Sequence, residues 1–296
     1  MNPVFGPMRP PFLILTPACV ALGLAVTHRS GAQIDPMEAV LVLLGAVAAH
    51  ISVNALNEFV DFRSGLDSHT RRTPFSGGSG TLPAHPELAP VALVTGLISA
   101  LAVLVIGLYF LTERGFTLLP LGLLGLALVL AYTPWLTRRP WLCLIAPGVG
   151  FGPCMVMGTE VALTGHYSWS GLLASLIPFF LVSNLLLLNQ FPDVEADRNV
   201  GRSNLPILLG FQRSARVYVL FFVLALATLG GAVGLGYLPA FSLIGGAGLA
   251  AAAPVVRNLD RFDGVLESLL PSLGLNVVAS VATPALVAFG IFIGTV

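Results

Sequence analysis

Hydrophobic and polar positions along this chain fall into long apolar runs separated by short polar connections. A run of about 18 or more apolar residues with few charges is long enough to cross a bilayer core as a helix. Nine such runs are predicted: 11–26, 39–60, 90–111, 116–136, 141–163, 168–189, 216–238, 239–256 and 268–296. The shallowest division is at Pro239, between the seventh and eighth. The first run is followed at once by others and lacks a clear cleavage site, so no cleavable leader is expected. The pattern predicts an all-α polytopic membrane protein, nine transmembrane helices in a single bundle, with one domain over residues 1–296.

Two polar stretches stand out at the ends of the second and sixth runs. NEFVD occupies 57–61 and NQFPD occupies 189–193, so their first residues are 132 positions apart. Each leads into one of the two longer polar connections, 61–89 and 193–215. Residues three, four or seven apart share a helix face. That spacing strings His50, Asn54, Asn57 and Asp61 into one stripe, and Asn189, Asp193 and Asp197 into another. Polar and charged groups at membrane depth are costly and turn toward the bundle interior or a water-filled cavity. Carboxylates that only cap helix ends would not come as two sets matched in residue type. Related halves of a membrane protein commonly place a site at their interface.

Composition narrows the class. Hydrophobic residues make up 56% of the 296 and charged residues 9%, with a mean hydropathy of +0.90, which excludes an ordinary soluble domain. No nucleic-acid partner and no obligatory protein partner is expected. The formal net charge of zero hides an asymmetry, because every basic residue apart from His is Arg. With nine spans, Arg9, Arg63, Arg71, Arg72, Arg138, Arg139, Arg198, Arg202, Arg213, Arg216, Arg257 and Arg261 share the side of the N-terminus. Only Arg29 and Arg114 fall on the other. Short Arg-rich loops stay in the cytoplasm. The N-terminus and both polar connections are therefore expected in the cytoplasm and the C-terminus outside, in the cell (inner) membrane. Cys19, Cys143 and Cys154 lie in apolar runs without metal-ligand spacing and read as small buried hydrophobes.

Carboxylate and amide oxygens are hard ligands suited to Mg2+, which keeps waters and is shared with substrate phosphates. Two Asp/Asn clusters facing one another describe a diphosphate clamp with bridging metal ions. Guanidinium groups bind phosphate oxygens in bidentate fashion, and Arg72, Arg138, Arg139, Arg198 and Arg202 are within reach by sequence. A transporter of an anionic solute could use the same groups, but it would need polar access on both faces. A lipid phosphotransferase would carry its Asp motif in one contiguous stretch.

At these residues the chain resembles a known family. NEFVDFRSGLD (57–67) and DVEADRNVGRSNLPILLG (193–210) resemble the two signature motifs of the UbiA superfamily of intramembrane prenyltransferases. The first motif there is Asn-x-x-x-Asp with a further Asp; the second is Asp-x-x-x-Asp, met by Asp193 and Asp197. The spacing of Asn57, Asp61, Gly65 and Asp67 is similar to the branch that prenylates 1,4-dihydroxy-2-naphthoate for menaquinone. AYTPWLTRRP (131–140) is similar to that branch at Tyr132, Thr133 and Arg139, and RPPFLILTPACVALGLA (9–25) resembles the family's start. Glu58 stands where many members have Asp.

The resemblance implies that Asn57, Asp61, Asp193 and Asp197 hold two Mg2+ ions against the diphosphate of a polyprenyl donor. Arg72, Arg138, Arg139, Arg202 and Asn189 would bind diphosphate oxygens. Asp67, with Arg72 or Tyr132, would position or deprotonate a small aromatic acceptor. The alternative acceptors are 4-hydroxybenzoate, homogentisate and a glyceryl-phosphate ether lipid. The Gly-rich stretch RTPFSGGSGTLP (72–83) would either offer backbone N–H groups to anionic oxygens or hinge over the mouth.

Overall fold

The computed structural model describes residues 2–69, 72–75, 77–259, 262 and 265–295. Arg71 and Arg261 of the charge asymmetry, Ser76 of the Gly-rich stretch and Val296 lie outside the described residues. Among the described residues every regular element is helical. After two 3-10 turns comes α1 (Leu15–Arg29), then α2 (Pro36–Ser64). The start of α2 is set by Asp35, whose carboxylate accepts the N–H groups of Met37 and Glu38 at 2.7 and 3.1 Å, with Pro36 in the first helical position. It ends at Gly65, where a φ of 78° favours glycine.

The next helices are α3 (Ala89–Arg114) and α4 (Leu119–Ala131), then α5 (Pro140–Val149) and α6 (Gly158–Thr164), the last two joined by a π-helical stretch, Gly150–Met157. Pro153 has no N–H for the normal ladder, and a widened turn accommodates it. There follow α7 (Trp169–Asn189) and the short α8 (Val194–Asn199) and α9 (Leu205–Leu209). The chain closes with α10 (Phe211–Gly234), α11 (Gly246–Ala250), α12 (Ala253–Leu259) and α13 (Leu266–Thr295).

Eight helical stretches among the described residues are long and apolar enough to cross a membrane, where the sequence pattern predicts nine. The difference lies in Pro86–Ala131, 46 residues that contain the third predicted span and most of the fourth. As one straight helix it would rise about 69 Å, more than twice a bilayer core of about 30 Å. It breaks at Gly115, whose φ of 71° ends α3.

The molecule carries its apolar residues on both inside and outside. Cys19, Leu22 and Ala25 of α1 and Ala174, Ile177 and Leu187 of α7 are fully buried, making these the central helices. By contrast α3 exposes Leu97, Ile98, Leu101, Val105 and Leu108, the surface a lipid-facing helix presents. Glycines let the central backbones touch. A methyl group at Gly23 would sit 2.5 Å from the Thr159 side chain and 2.6 Å from the Val156 carbonyl. One at Gly152 would sit 2.4 Å from the Ser175 carbonyl of α7. Buried polar groups tie the second half together. Tyr218 Oη of α10 donates to Asn276 Oδ1 of α13 at 2.9 Å, while Asn276 Nδ2 donates to the Asn184 carbonyl of α7 at 3.1 Å.

Candidate active site

One face of α2 leads into the site. Val42, Ala46, Ala49, Val53, Asn57 and Asp61 recur at helical spacing and all line a cavity of about 640 Å3. Its apolar wall is completed by α3, α4, the π-helical stretch and Val182, Leu185 and Leu186 of α7. Gly122, Gly150 and Gly158 also line it, and a methyl group at any of them would meet no atom within 4 Å. These glycines face open space, unlike Gly23 and Gly152.

Polar groups collect at one end of the cavity. Arg202 joins Asp61 to Asp197: its Nη2 donates to Asp61 Oδ1, and its Nη1 lies 3.6 Å from Asp197 Oδ1. Asn204 Nδ2 donates to Asp197 Oδ2 at 2.7 Å, while its Oδ1 caps α9 by accepting the Ile207 N–H at 2.9 Å. On the α2 side, Arg9 Nε donates to Glu58 Oε1 at 2.7 Å and Arg9 Nη2 to Asn57 Oδ1 at 3.4 Å. Asn57 Nδ2 donates to Thr133 Oγ1 at 3.2 Å.

Crowding carboxylates in a largely dry space raises their proton affinity. Burial, then the neighbouring Asp197 charge, pushes Asp193 up to about 8. Burial, then Glu58 and Asp61, pushes Asp67 up to about 7, and Asp197 is raised by burial as well.

Asn57, Asp61, Asp67, Tyr132, Asn189, Asp193, Asp197 and Arg202 all line this one cavity. Arg72, Arg138 and Arg139 do not; they are exposed outside its wall. The turn Leu136–Arg138 buries Thr137 and leaves both arginines outside, so Thr137 joins Tyr132 as a cavity residue of that motif. The second stripe is also not one continuous helix. Helix α7 stops at Asn189 because Pro192 cannot donate to a continuing ladder, and Asp193 opens the separate α8. Sequence reasoning assigned no ligand role to Arg9, Gln190, Asn204 or Thr137, all of which line the cavity. Gln190 stood inside the quoted NQFPD stretch, and Arg9 opened the quoted RPPFLILTPACVALGLA stretch.

The donor set fits a hard divalent cation. Asp67 Oδ2, Asn189 Oδ1, Gln190 Oε1 and Asp193 Oδ1 are buried with no hydrogen-bond partner among the described residues. All four are acceptor oxygens on the cavity wall. Among the described residues no three His, Cys, Asp or Glu side chains form a cage on their own. An ion that keeps waters and shares phosphate oxygens needs no such cage.

The sequence model of the UbiA prenyltransferase family matches residues 14–264. The chain belongs to the UbiA prenyltransferase family. It is 27% identical to the 1,4-dihydroxy-2-naphthoate octaprenyltransferase of Escherichia coli over 97% of this chain and 94% of that protein. It is 25% identical to the Bacillus subtilis protein of the same name, over 65% of this chain but only 61% of that one. Among solved structures it resembles a UbiA homolog from Archaeoglobus fulgidus bound to DMAPP and Mg2+, with a TM-score of 0.63 at 16% identity. That match covers 97% of this chain and 99% of that one, and it places this UbiA-family chain in the same fold.

Proposed function

We propose that this prenyltransferase moves a polyprenyl group from a polyprenyl diphosphate to 1,4-dihydroxy-2-naphthoate, with Mg2+ at the acidic end of the cavity. The observation that carries this reading is one cavity whose polar end gathers Asp61, Asp193, Asp197 and Arg202 and whose remaining wall is mostly apolar. A polyprenyl diphosphate has that same division of polarity. The acceptor is supported by the naphthoate octaprenyltransferases among the relatives, and the metal by the A. fulgidus homolog.

In this reading Asn57, Asp61, Asp193 and Asp197 would hold the metal, two ions in all, with Asn189 and Gln190 adding neutral oxygens. When bound, Mg2+ supplies neutralisation of the diphosphate leaving group. Arg202 adds fixed positive charge beside it, and Arg9 does the same from the N-terminal segment. The allylic C–O bond breaks and the diphosphate leaves with the electron pair. A ring carbon of the acceptor then bonds to the allylic carbon and the ring gives up a proton. Asp67, with its unpartnered Oδ2, is placed to position the acceptor or take that proton, and Tyr132 to donate to it. The glycine-lined apolar wall receives the isoprenoid and keeps water from the allylic centre.

The same reading has nine crossings and a cytoplasmic N-terminus. Helix α4 with the 3-10 turn Gly115–Leu118 before it rises about 27 Å, close to a bilayer core. The test is incubation of the purified protein with labelled geranylgeranyl or longer diphosphate and a panel of naphthoate, benzoate and homogentisate acceptors. A prenylated naphthoate that depends on Mg2+ is expected. A different prenylated acceptor would reassign the substrate, and no product with any would remove the reading.

A further inference from the structure

Glu58 occupies the second position of the first motif, next to the cation-binding Asn57, yet its carboxylate is fully engaged elsewhere. The residue is 1% exposed and is not part of the cavity wall. Oε1 accepts the Ser79 backbone N–H at 2.6 Å and Arg9 Nε at 2.7 Å, and Oε2 accepts Ser79 Oγ at 2.9 Å. Three segments distant in sequence therefore meet on one side chain: the N-terminal turn, the end of α2 and the Gly-rich connection.

Both attached segments reach the site. Arg9 lines the cavity, and it is the one non-glycine residue at positive φ (51°) among the described residues. Its backbone is held by the Arg9 N–H donated to the Gly6 carbonyl at 2.9 Å and the Phe12 N–H accepted at 3.0 Å, and Glu58 fixes where its guanidinium points. Gly77 and Gly78 also line the cavity. At Gly78, with φ of 74°, a methyl group would sit 3.3 Å from Asp67 Oδ1, 3.3 Å from Glu58 Oε1 and 3.6 Å from Arg9 Nη2. Backbone without a side chain is what fits between these groups.

We propose that Glu58 is a positioning residue, a bracket that seats Arg9 and the Gly77–Ser79 backbone over the acidic end of the cavity. Its consequence rests on the prenyl-transfer reading: the seated segments keep water from the allylic carbon once the diphosphate has left. Without the bracket, water competes with the acceptor. Its oxygen bonds to the allylic carbon, it loses a proton, and a prenyl alcohol forms in place of the prenylated ring. The share of consumed donor that ends as alcohol does not depend on how much of a preparation is folded.

Two variants test this, Glu58→Ala and the milder Ser79→Ala, each taken as detergent-monodisperse full-length protein. Amide exchange at Ser79 is measured without substrate, and the ratio of alcohol to prenylated acceptor with substrate. Loss of a hydrogen bond to a charged acceptor is expected to speed Ser79 exchange in Glu58→Ala by about tenfold or more. The alcohol share should rise by about the same order, with a smaller rise in Ser79→Ala. Should Glu58→Ala prove aggregated, Ser79→Ala decides alone. Unchanged exchange at Ser79 overturns the bracket, and faster exchange with a wild-type product ratio overturns its role in water exclusion. If the wild-type protein prenylates no acceptor, the functional reading fails, while the exchange measurement still decides whether the bracket exists.

Discussion

Asp61 and Asp197 come from two stretches more than a hundred residues apart in sequence and meet through a single guanidinium, that of Arg202, with Asp193 lining the same cavity. Changing any of the three Asp to Asn keeps its size and removes the charge. Loss of one preorganised contact of this type costs on the order of 10²–10³ in rate, so each variant should lose most product formed per amount of monodisperse protein. Glu195 is exposed, and Glu195→Gln should run near wild type in the same assay. Arg138→Ala and Arg139→Ala should also cost little, whereas Arg202→Ala should resemble the Asp variants. The raised proton affinities of Asp67 and Asp193 fix a pH dependence. The folded protein holds protons on these groups up to about pH 7 and 8, where the unfolded chain has already released them near its ordinary 3.8. Raising pH through that window therefore destabilises the metal-free protein, and it strengthens Mg2+ binding because the metal must displace the Asp193 proton. Thermal unfolding should show a larger Mg2+-induced rise at pH 8.5 than at pH 6. An equal rise would show that Asp193 does not take the metal.

Elements decide which of these residues meet. The α2 stripe was legible because a single uninterrupted helix carries it, and Asn57 and Asp61 share its face as the 3.6-residue period dictates. The second stripe was legible only in its residue types. Pro192 splits it, so Asp193 and Asp197 reach the cavity from α8 through a turn whose path no periodicity gives. Arg9 and Glu58 pair across 49 positions, and Arg202 and Asp61 across 141. Contacts of that range depend on how helices pack, which the chain's hydropathy does not encode. The glycines divide by packing too, and this is testable. Gly23→Ala forces a methyl group against Thr159 and the Val156 carbonyl and should cost about 1–3 kcal/mol of stability. Gly158→Leu fills open cavity, so the protein should stay as stable as wild type while turnover of long donors falls more than that of geranyl diphosphate. Loss of turnover independent of donor length would place Gly158 outside the isoprenoid path.

At the scale of the whole molecule, the apolar exterior of α3 and the buried polar node of Tyr218, Asn184 and Asn276 belong to a bundle made for lipid surroundings. Helical class and membrane residence were legible from run length alone. The number of crossings was legible only as a division of runs: the sequence pattern parts 90–111 from 116–136, and in the structure a backbone break at Gly115 falls between them inside one 46-residue helical stretch. Orientation follows from the Arg asymmetry: a reporter fused after Val296 should appear outside and one within 61–89 in the cytoplasm. Both on one side would exclude nine crossings. The central claim is that two distant acidic words make one metal-dependent prenyl-transfer site. Its most direct measurement is prenylated naphthoate formed from labelled polyprenyl diphosphate by wild type, Asp61→Asn and Asp193→Asn, each with Mg2+ and with excess chelator. Product from wild type with Mg2+, and almost none in the other five conditions, is the predicted result. Near-normal product in either variant, or in chelator, would contradict it.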